Sequence, residues 1–258
     1  PKAYEGTYGT NGFYITGENS ADLGADYSGN GNDFTSSGLT SDDQVTDTPT
    51  DNHATLMPIW KSSSLTLSDG NLQQSGDASN RYAPLNIAIP QSGKFYVEFN
   101  ITTGGGSDAS TLGLDSLYRN LSSGEIGDSA DGWGYRRYNG TKYHNSVSSS
   151  YGSSINTAGV VGIAVDADNG KIWFSEGGTW LNSGDPAAGT GEAFSGIDFS
   201  SSTSRHLMGS HASFGTAVVV WNTASTSWTY TPPTGFSALS TANLPAPTIP
   251  RGSDYFNA

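Results

Sequence analysis

The stretch from Val160 to Phe174 reads Val-Val-Gly-Ile-Ala-Val-Asp-Ala-Asp-Asn-Gly-Lys-Ile-Trp-Phe, and it limits the fold more than any other part of the chain. Asn169-Gly170 supplies the positive φ angles of a tight hairpin turn, so the run goes out and back as two antiparallel strands. On the outgoing strand Val161, Ile163 and Val165 share one face. Gly162 and Ala164 leave the other face small enough for a close neighbour. Ile172 and Phe174 return to meet the larger residues, and Gly177-Gly178 turns the chain once more into Thr179-Trp180-Leu181. The result is a three-stranded meander, enough to nucleate a sheet when one face is apolar.

The rest of the chain extends the same pattern. In Lys94–Ile101, Phe95, Val97, Phe99 and Ile101 alternate with Lys94, Tyr96, Glu98 and Asn100, which predicts a strand with one wet side. Leu112-Gly-Leu114 comes after a Gly-rich loop at 104–106, and Trp133 to Tyr143 offers two short aromatic strands around Asn139-Gly140. Ala217-Val-Val-Val-Trp221 is apolar on both faces and reads as a central strand. No apolar stripe of helical period interrupts these runs, and 34 glycines punctuate them. The fold class expected is therefore all-β, an antiparallel β-sandwich with irregular flanks.

Three regions are expected. Residues 1–64 are polar and turn-rich, with short apolar pieces at Phe13-Tyr14-Ile15 and Asp33-Phe34-Thr35; such a segment buries too little to stand alone and should pack on a neighbour. Residues 65–240 carry the sandwich, with Thr231-Pro-Pro-Thr-Gly235 as a turn near its end. Residues 241–258, with Leu244-Pro-Ala-Pro-Thr-Ile-Pro250, form a Pro-rich linker toward another element that Tyr255 and Phe256 would begin. The first residue is Pro1, not Met, which suggests a processed product or a stretch of a longer polypeptide.

Gly159–Ser175 resembles the core signature of SPRY domains. Ser92–Glu98 is similar to that family's early strand, Leu112-Gly-Leu114 to the next, and Tyr230–Phe236 to its closing segment. Gly177-Gly178 and Trp221-Asn222 stand where the family has Asn-Gly and Phe-Gly, differences that bear on loops. The resemblance covers roughly residues 65 to 240 and implies a concanavalin-like jelly roll with no catalytic residues to carry over. Tyr8–Tyr14, Asp26–Phe34 and Asp47–Asn52 resemble segments preceding SPRY-like domains in marine phage fibre and virion proteins. Asn243–Pro250 with Asp254-Tyr-Phe256 is similar to the segments C-terminal to such domains in the same proteins. This implies a structural and adhesion module of a phage tail or capsid fibre. It would stand on the virion surface, bound to other virion proteins and to a host-surface glycan or protein receptor, as a homo-oligomer and most simply a trimer.

Composition narrows the partners. A net charge of −13, with only 11 Lys and Arg, argues against phosphate backbones and anionic membrane surfaces. No apolar run is long enough to span a bilayer as a helix. Absence of cysteine removes disulfides and thiolate chemistry. His53, His144, His206 and His211 lack the spacing of a zinc site, and no nucleophile elbow, Walker loop or dinucleotide fingerprint occurs.

The remaining signals are weaker. Asp166-x-Asp168-Asn-Gly170 mimics a calcium loop but has the wrong spacing and reads as a turn. Asp22, Asp26 and Asp33, with Asn30 and Asn32, form a better oxygen-rich calcium candidate, although no cofactor is required. Glu125, Asp128 and Asp131 would be the carboxylates of a glycan depolymerase, one alternative function. The other alternative is a carbohydrate-binding module of a secreted bacterial adhesin. Tyr with small polar residues makes adaptable contact surfaces, so Tyr138, Tyr143 and Tyr151, with Arg136 and Arg137, are the expected surface ligand-binding residues. Alternation would turn Trp133 and Tyr135 inward.

Overall fold

The structure is a computed structural model that describes residues 4–246 apart from 46, 49, 77–80, 106–110, 156, 200–204 and 211–216. The readings of Gly106, His211 and the tail from residue 247, with Asp254, Tyr255 and Phe256, lie outside the described residues. In chain order the strands are β1 (Leu65–Ser68), β2 (Gln73–Gly76), β3 (Lys94–Gly105), β4 (Thr111–Ser116), β5 (Trp133–Arg136), β6 (Thr141–His144) and β7 (Val147–Ser150). They continue with β8 (Thr157–Asp166), β9 (Lys171–Glu176), β10 (Thr179–Trp180), β11 (Arg205–Ser210), β12 (Ala217–Asn222) and β13 (Ser237–Ala238).

Two antiparallel sheets face each other. The larger runs β1-β2-β12-β3-β8-β9-β10, and β13 adds a short parallel pairing to β3; the smaller runs β11-β4-β5-β6-β7. Their shared core joins Phe95, Val97, Phe99, Ile101, Val161, Ile163, Val165, Phe174 and Trp221 of one sheet to Leu112, Leu114, Tyr135 and Leu207 of the other. This is the β-sandwich that the alternation and turn signals predicted.

The meander forms as read, with β8 paired to β9 and β9 to β10. Its first turn needs Gly170, at φ +62°, because a Cβ there would stand 2.5 Å from the Ile197 carbonyl oxygen. Asp166 holds that turn by accepting from the Asn169 backbone N–H (3.0 Å) and side-chain amide (2.9 Å), while Asp168 accepts from the Gly93 N–H at 2.9 Å. The two aspartates are turn residues. Gly162 is as closely approached as expected, since a Cβ there would lie 2.8 Å from the Tyr96 hydroxyl.

One expectation about β3 is corrected. Its second face is not wet: Tyr96 and Glu98 are buried, because the closing segment crosses the outside of the larger sheet. Tyr96, Ala164, Trp173 and Phe236 form a second small core there, with Trp180 and Trp228 packed against it. Glu98 anchors the crossing. Its carboxylate accepts from the Tyr96 hydroxyl (3.0 Å), the Asn222 side-chain amide (3.1 Å) and the backbone N–H groups of Thr229 (2.7 Å) and Tyr230 (2.8 Å).

Residues 1–64 are not uniform. Ala54 and Leu56 are fully buried in the main core, tied in by Ala54 N–H to the Leu239 carbonyl and by pairing of Leu56 with Leu85. Over 4–45 Gly24 is buried and every other side chain whose burial is described is partly or fully exposed. Neither short apolar piece becomes a strand; Ile15 makes an isolated bridge to Asp26.

Candidate functional site

The described loop that connects β4 to β5, residues 117–132, decides which polar side chains are free. It starts from Asp115, which is buried at the end of β4 and accepts from the Ser116 N–H (2.8 Å) and from Arg119, four residues on. Burial pushes the Asp115 carboxyl up, and Arg119 offsets only part of this. The Arg119 guanidinium lies 4.3 Å from the Tyr82 ring centroid and donates to the Ser123 carbonyl, while the Tyr82 hydroxyl donates to Gly124. Ile126 is buried beside Tyr82 and Met208. The loop is thereby strapped across the smaller sheet.

This strap carries Glu125, Asp128 and Asp131 to the tyrosines and arginines that looked like a binding surface. Glu125 accepts from Arg136 and from the Tyr138 hydroxyl at 3.2 Å. Asp128 accepts from the Tyr143 hydroxyl at 2.8 Å and from the Glu125 N–H at 2.6 Å. Arg136 lies over the Tyr143 ring, 3.2 Å from its centroid. Asp131 pairs with Arg205 at 3.2 Å, whose guanidinium in turn sits 4.7 Å from the Trp133 ring centroid. Two of the candidate carboxylates, Glu125 and Asp128, thus take up three of the candidate ligand-binding residues, Arg136, Tyr138 and Tyr143.

The surface assignment of those residues is corrected accordingly. Tyr143 is buried beneath the strap, and Tyr151 packs in the main core against Tyr135 and Phe174. Arg137 is 1% exposed. Its Nε donates to both Glu176 oxygens (2.8 and 3.0 Å) and its terminal nitrogen to the Thr157 carbonyl (2.6 Å), because β9 brings a countercharge inward. Burial raises the Glu176 carboxyl more than Arg137 and Tyr135 lower it. Arg136 and Tyr138 are half-buried. Trp133 and Tyr135 point inward, as alternation predicted.

The calcium reading fares differently. Asp26 is already filled by donors: one oxygen accepts from the N–H groups of Tyr14 and Ser28, the other from the Ser28 hydroxyl and the Asn32 N–H. Burial pushes its carboxyl up, but these hydrogen bonds outweigh it and hold the group well below the usual range. Asp33 accepts from the Asp26 N–H and Asp22 from the Gly24 N–H. Those N–H groups point at the oxygens a cation would need, and no metal-holding group of His, Asp and Glu occurs among the described residues.

Three large side chains left facing outward near this strap were not singled out by sequence. Tyr118 is 87% exposed, Ile59 94% and Trp60 48%. The Trp60 indole N–H donates to the Leu117 carbonyl at 3.1 Å, which joins the 58–61 turn to the strap. Beside Tyr118 opens a cleft of about 400 Å³ lined by Asp115, Arg119, Asn120, Asp128 and Asp131. The available signal was Pro58-Ile-Trp60, an apolar pair that a proline separates from Leu56-Met57 and that the polar run Lys61-Ser-Ser-Ser64 follows.

Residues 94–203 match the family described as SPRY domain. Among solved structures, the SPRY domain of human HERC1 is similar with a TM-score of 0.50 and 16% identity, covering 65% of this chain and 96% of that one. None of the curated proteins compared matches the chain. The chain thus carries a SPRY-like domain, and such domains are in general non-catalytic protein–protein interaction modules.

Proposed function

We propose that this chain is a non-catalytic binding and structural module that engages a protein partner through Ile59, Trp60, Tyr118 and the adjoining cleft. The observation that carries the reading is the exposure of these three side chains on two loops joined by the Trp60–Leu117 hydrogen bond. Large exposed aromatics beside a cleft with a polar rim are the composition of a binding centre. The setting is a phage tail or capsid fibre on the virion exterior, supported by the resemblance of the flanking segments, and the partner is a host-surface receptor or a neighbouring virion protein. A carbohydrate-binding role finds support in the same cleft, where Tyr118 offers a ring to stack on a sugar, the Asn120 amide can exchange hydrogen bonds with hydroxyls, and Asp128 and Asp131 can accept from them.

Immunogold microscopy of the source particles should label the virion exterior, and excess free chain should block adsorption of those particles to their host cells. The double variant Ile59→Ser, Tyr118→Ser should keep the wild-type melting temperature, because both side chains are exposed, yet block adsorption at least about tenfold less well. Undiminished blocking by the variant, or label confined to the cytoplasm of uninfected cells, would end the reading.

A further inference from the structure

Residues 4–45 are organised by hydrogen bonds, not by a core. Asp26 gathers Tyr14, Ser28 and Asn32, while the side-chain amides of Asn30 and Asn32 donate to the carbonyls of Gly9, Thr10 and Gly12 at 2.9–3.0 Å. An interior built this way has no room for rings, so they turn outward. Tyr4, Phe13, Tyr14, Tyr27, Phe34, Leu39 and Val45 are all exposed, the larger share of the exposed large hydrophobic side chains among the described residues. Phe13 and Phe34 meet edge-on, with centroids 4.7 Å apart. With Ile15, Leu23 and Leu39 they line an apolar cleft of about 380 Å³.

The charge on this segment says what can cover it. Residues 4–45 contain Glu5, Glu18, Asp22, Asp26, Asp33, Asp42 and Asp43 and no Lys, Arg or His, against a net charge of −13 for the whole chain. Two copies meeting through this face would set one group of seven carboxylates against another, a like-charge juxtaposition that association does not favour. Nucleic acid and anionic lipid are disfavoured for the same reason.

We propose that residues 4–45 form a second docking surface, separate from the Ile59–Trp60–Tyr118 face. It takes a basic protein surface that places an apolar side chain in the Phe13–Phe34–Leu39 cleft and its Lys or Arg residues against the carboxylates carried by the same segment. The apolar residue supplies the burial, and the charges set specificity and the rate of encounter.

The test uses the full chain and three fluorescein-labelled twelve-residue peptides: alternating Leu and Lys, alternating Ser and Lys, and alternating Leu and Glu. By fluorescence anisotropy, the Leu/Lys peptide should bind at least about tenfold tighter than either of the others, and binding should weaken as salt rises. Phe34→Ser and Leu39→Ser should each remove that advantage, whereas Tyr118→Ser should leave it intact and so separates this surface from the first. Leu39 is 55% exposed, so its variant tests the cleft even where Phe34→Ser loosens the segment. Equal binding of the Ser/Lys peptide, indifference to Leu39→Ser, or self-association in sedimentation runs that Leu39→Ser abolishes would each overturn the proposal.

Discussion

Replacing Glu98 tests whether the closing segment is held on the sheet by that one carboxylate. The side chain is 0% exposed and accepts from four donors: the Tyr96 hydroxyl, the Asn222 amide and the N–H groups of Thr229 and Tyr230. In Glu98→Ala all four lose their acceptor. Hydrogen bonds to a charged group contribute about 1.5–3 kcal/mol each, and an orphaned buried donor costs about 1–3 kcal/mol. Water can reach the partly buried donors of Asn222, Thr229 and Tyr230 while the Tyr96–Glu98 bond is buried, so the loss stays below the four-bond sum, about 3–5 kcal/mol in all. Release of the buried carboxylate's own desolvation cost keeps the figure from rising further. Glu98→Gln keeps one oxygen but turns an NH₂ toward Thr229 or Tyr230, which predicts about 2 kcal/mol. Urea titration followed by tryptophan fluorescence is the assay, since Trp228 and Trp180 pack on Tyr96. Hydrogen exchange at Thr229 and Tyr230 supplies the local readout. At about 2–4 °C per kcal/mol for a domain of this size, Glu98→Ala should melt about 6–20 °C lower. A loss under about 1 kcal/mol with unchanged exchange at both amides would refute the reasoning.

Arg137→Ala should destabilise by about 3–5 kcal/mol, because it leaves Glu176 buried without its countercharge; urea titration of the single variants and of the double variant with Glu176→Ala checks this, the double costing less than the two singles summed. Stability against acid depends on Asp166, whose carboxyl burial raises but which hydrogen bonds from Asn169 and Lys94 together bring below its usual value. A depressed native pKa means the unfolded chain binds the proton more tightly, so this contribution is complete above about pH 4 and is lost as pH falls through the native value. Asp166→Asn should therefore flatten the stability-versus-pH curve below about pH 4 in urea titrations, and an unchanged slope would contradict the assignment.

How much of the fold could be read depended on how far away each covering group lies in sequence. Strands β3, β8, β9 and β12 and the turns at Asn139-Gly140, Asn169-Gly170 and Gly177-Gly178 were legible because alternation and φ demands are local. β11 was not. It is led by Arg205 and His206, which are buried against Asp131 and the Leu85 carbonyl, partners that no local pattern reveals. Nor was the turn between β6 and β7, where Asn145 and Ser146 take positive φ without a glycine. The buried second face of β3 belongs to the same class. Tyr96 and Glu98 are covered by residues 228–236, and a hydrophobic pattern within eight residues cannot show what folds over it from so far along the chain.

The same distance explains why the candidate site moved. Tyr, Arg and small polar residues make good recognition surfaces because they donate hydrogen bonds and bury apolar area together. Those properties serve equally well for pinning a loop of carboxylates to its own sheet, as Arg136, Tyr138 and Tyr143 do with Glu125 and Asp128. Composition alone does not distinguish the two uses, whereas the number of nearby acceptors does. Glu125, Asp128 and Asp131 are close to the tyrosines in sequence, and a loop that ends where β5 begins must return beside β6, since the two strands pair from Trp133–His144 to Arg136–Thr141. Large side chains with no donor or acceptor demand of that kind are the ones this fold leaves outside. Ile59 is the clearest case; Tyr118, its backbone N–H held by Ser116, also leaves its ring outside, with a hydroxyl that solvent can satisfy. A binding face in a chain this polar is better sought where apolar area stays uncovered after the charges have found one another.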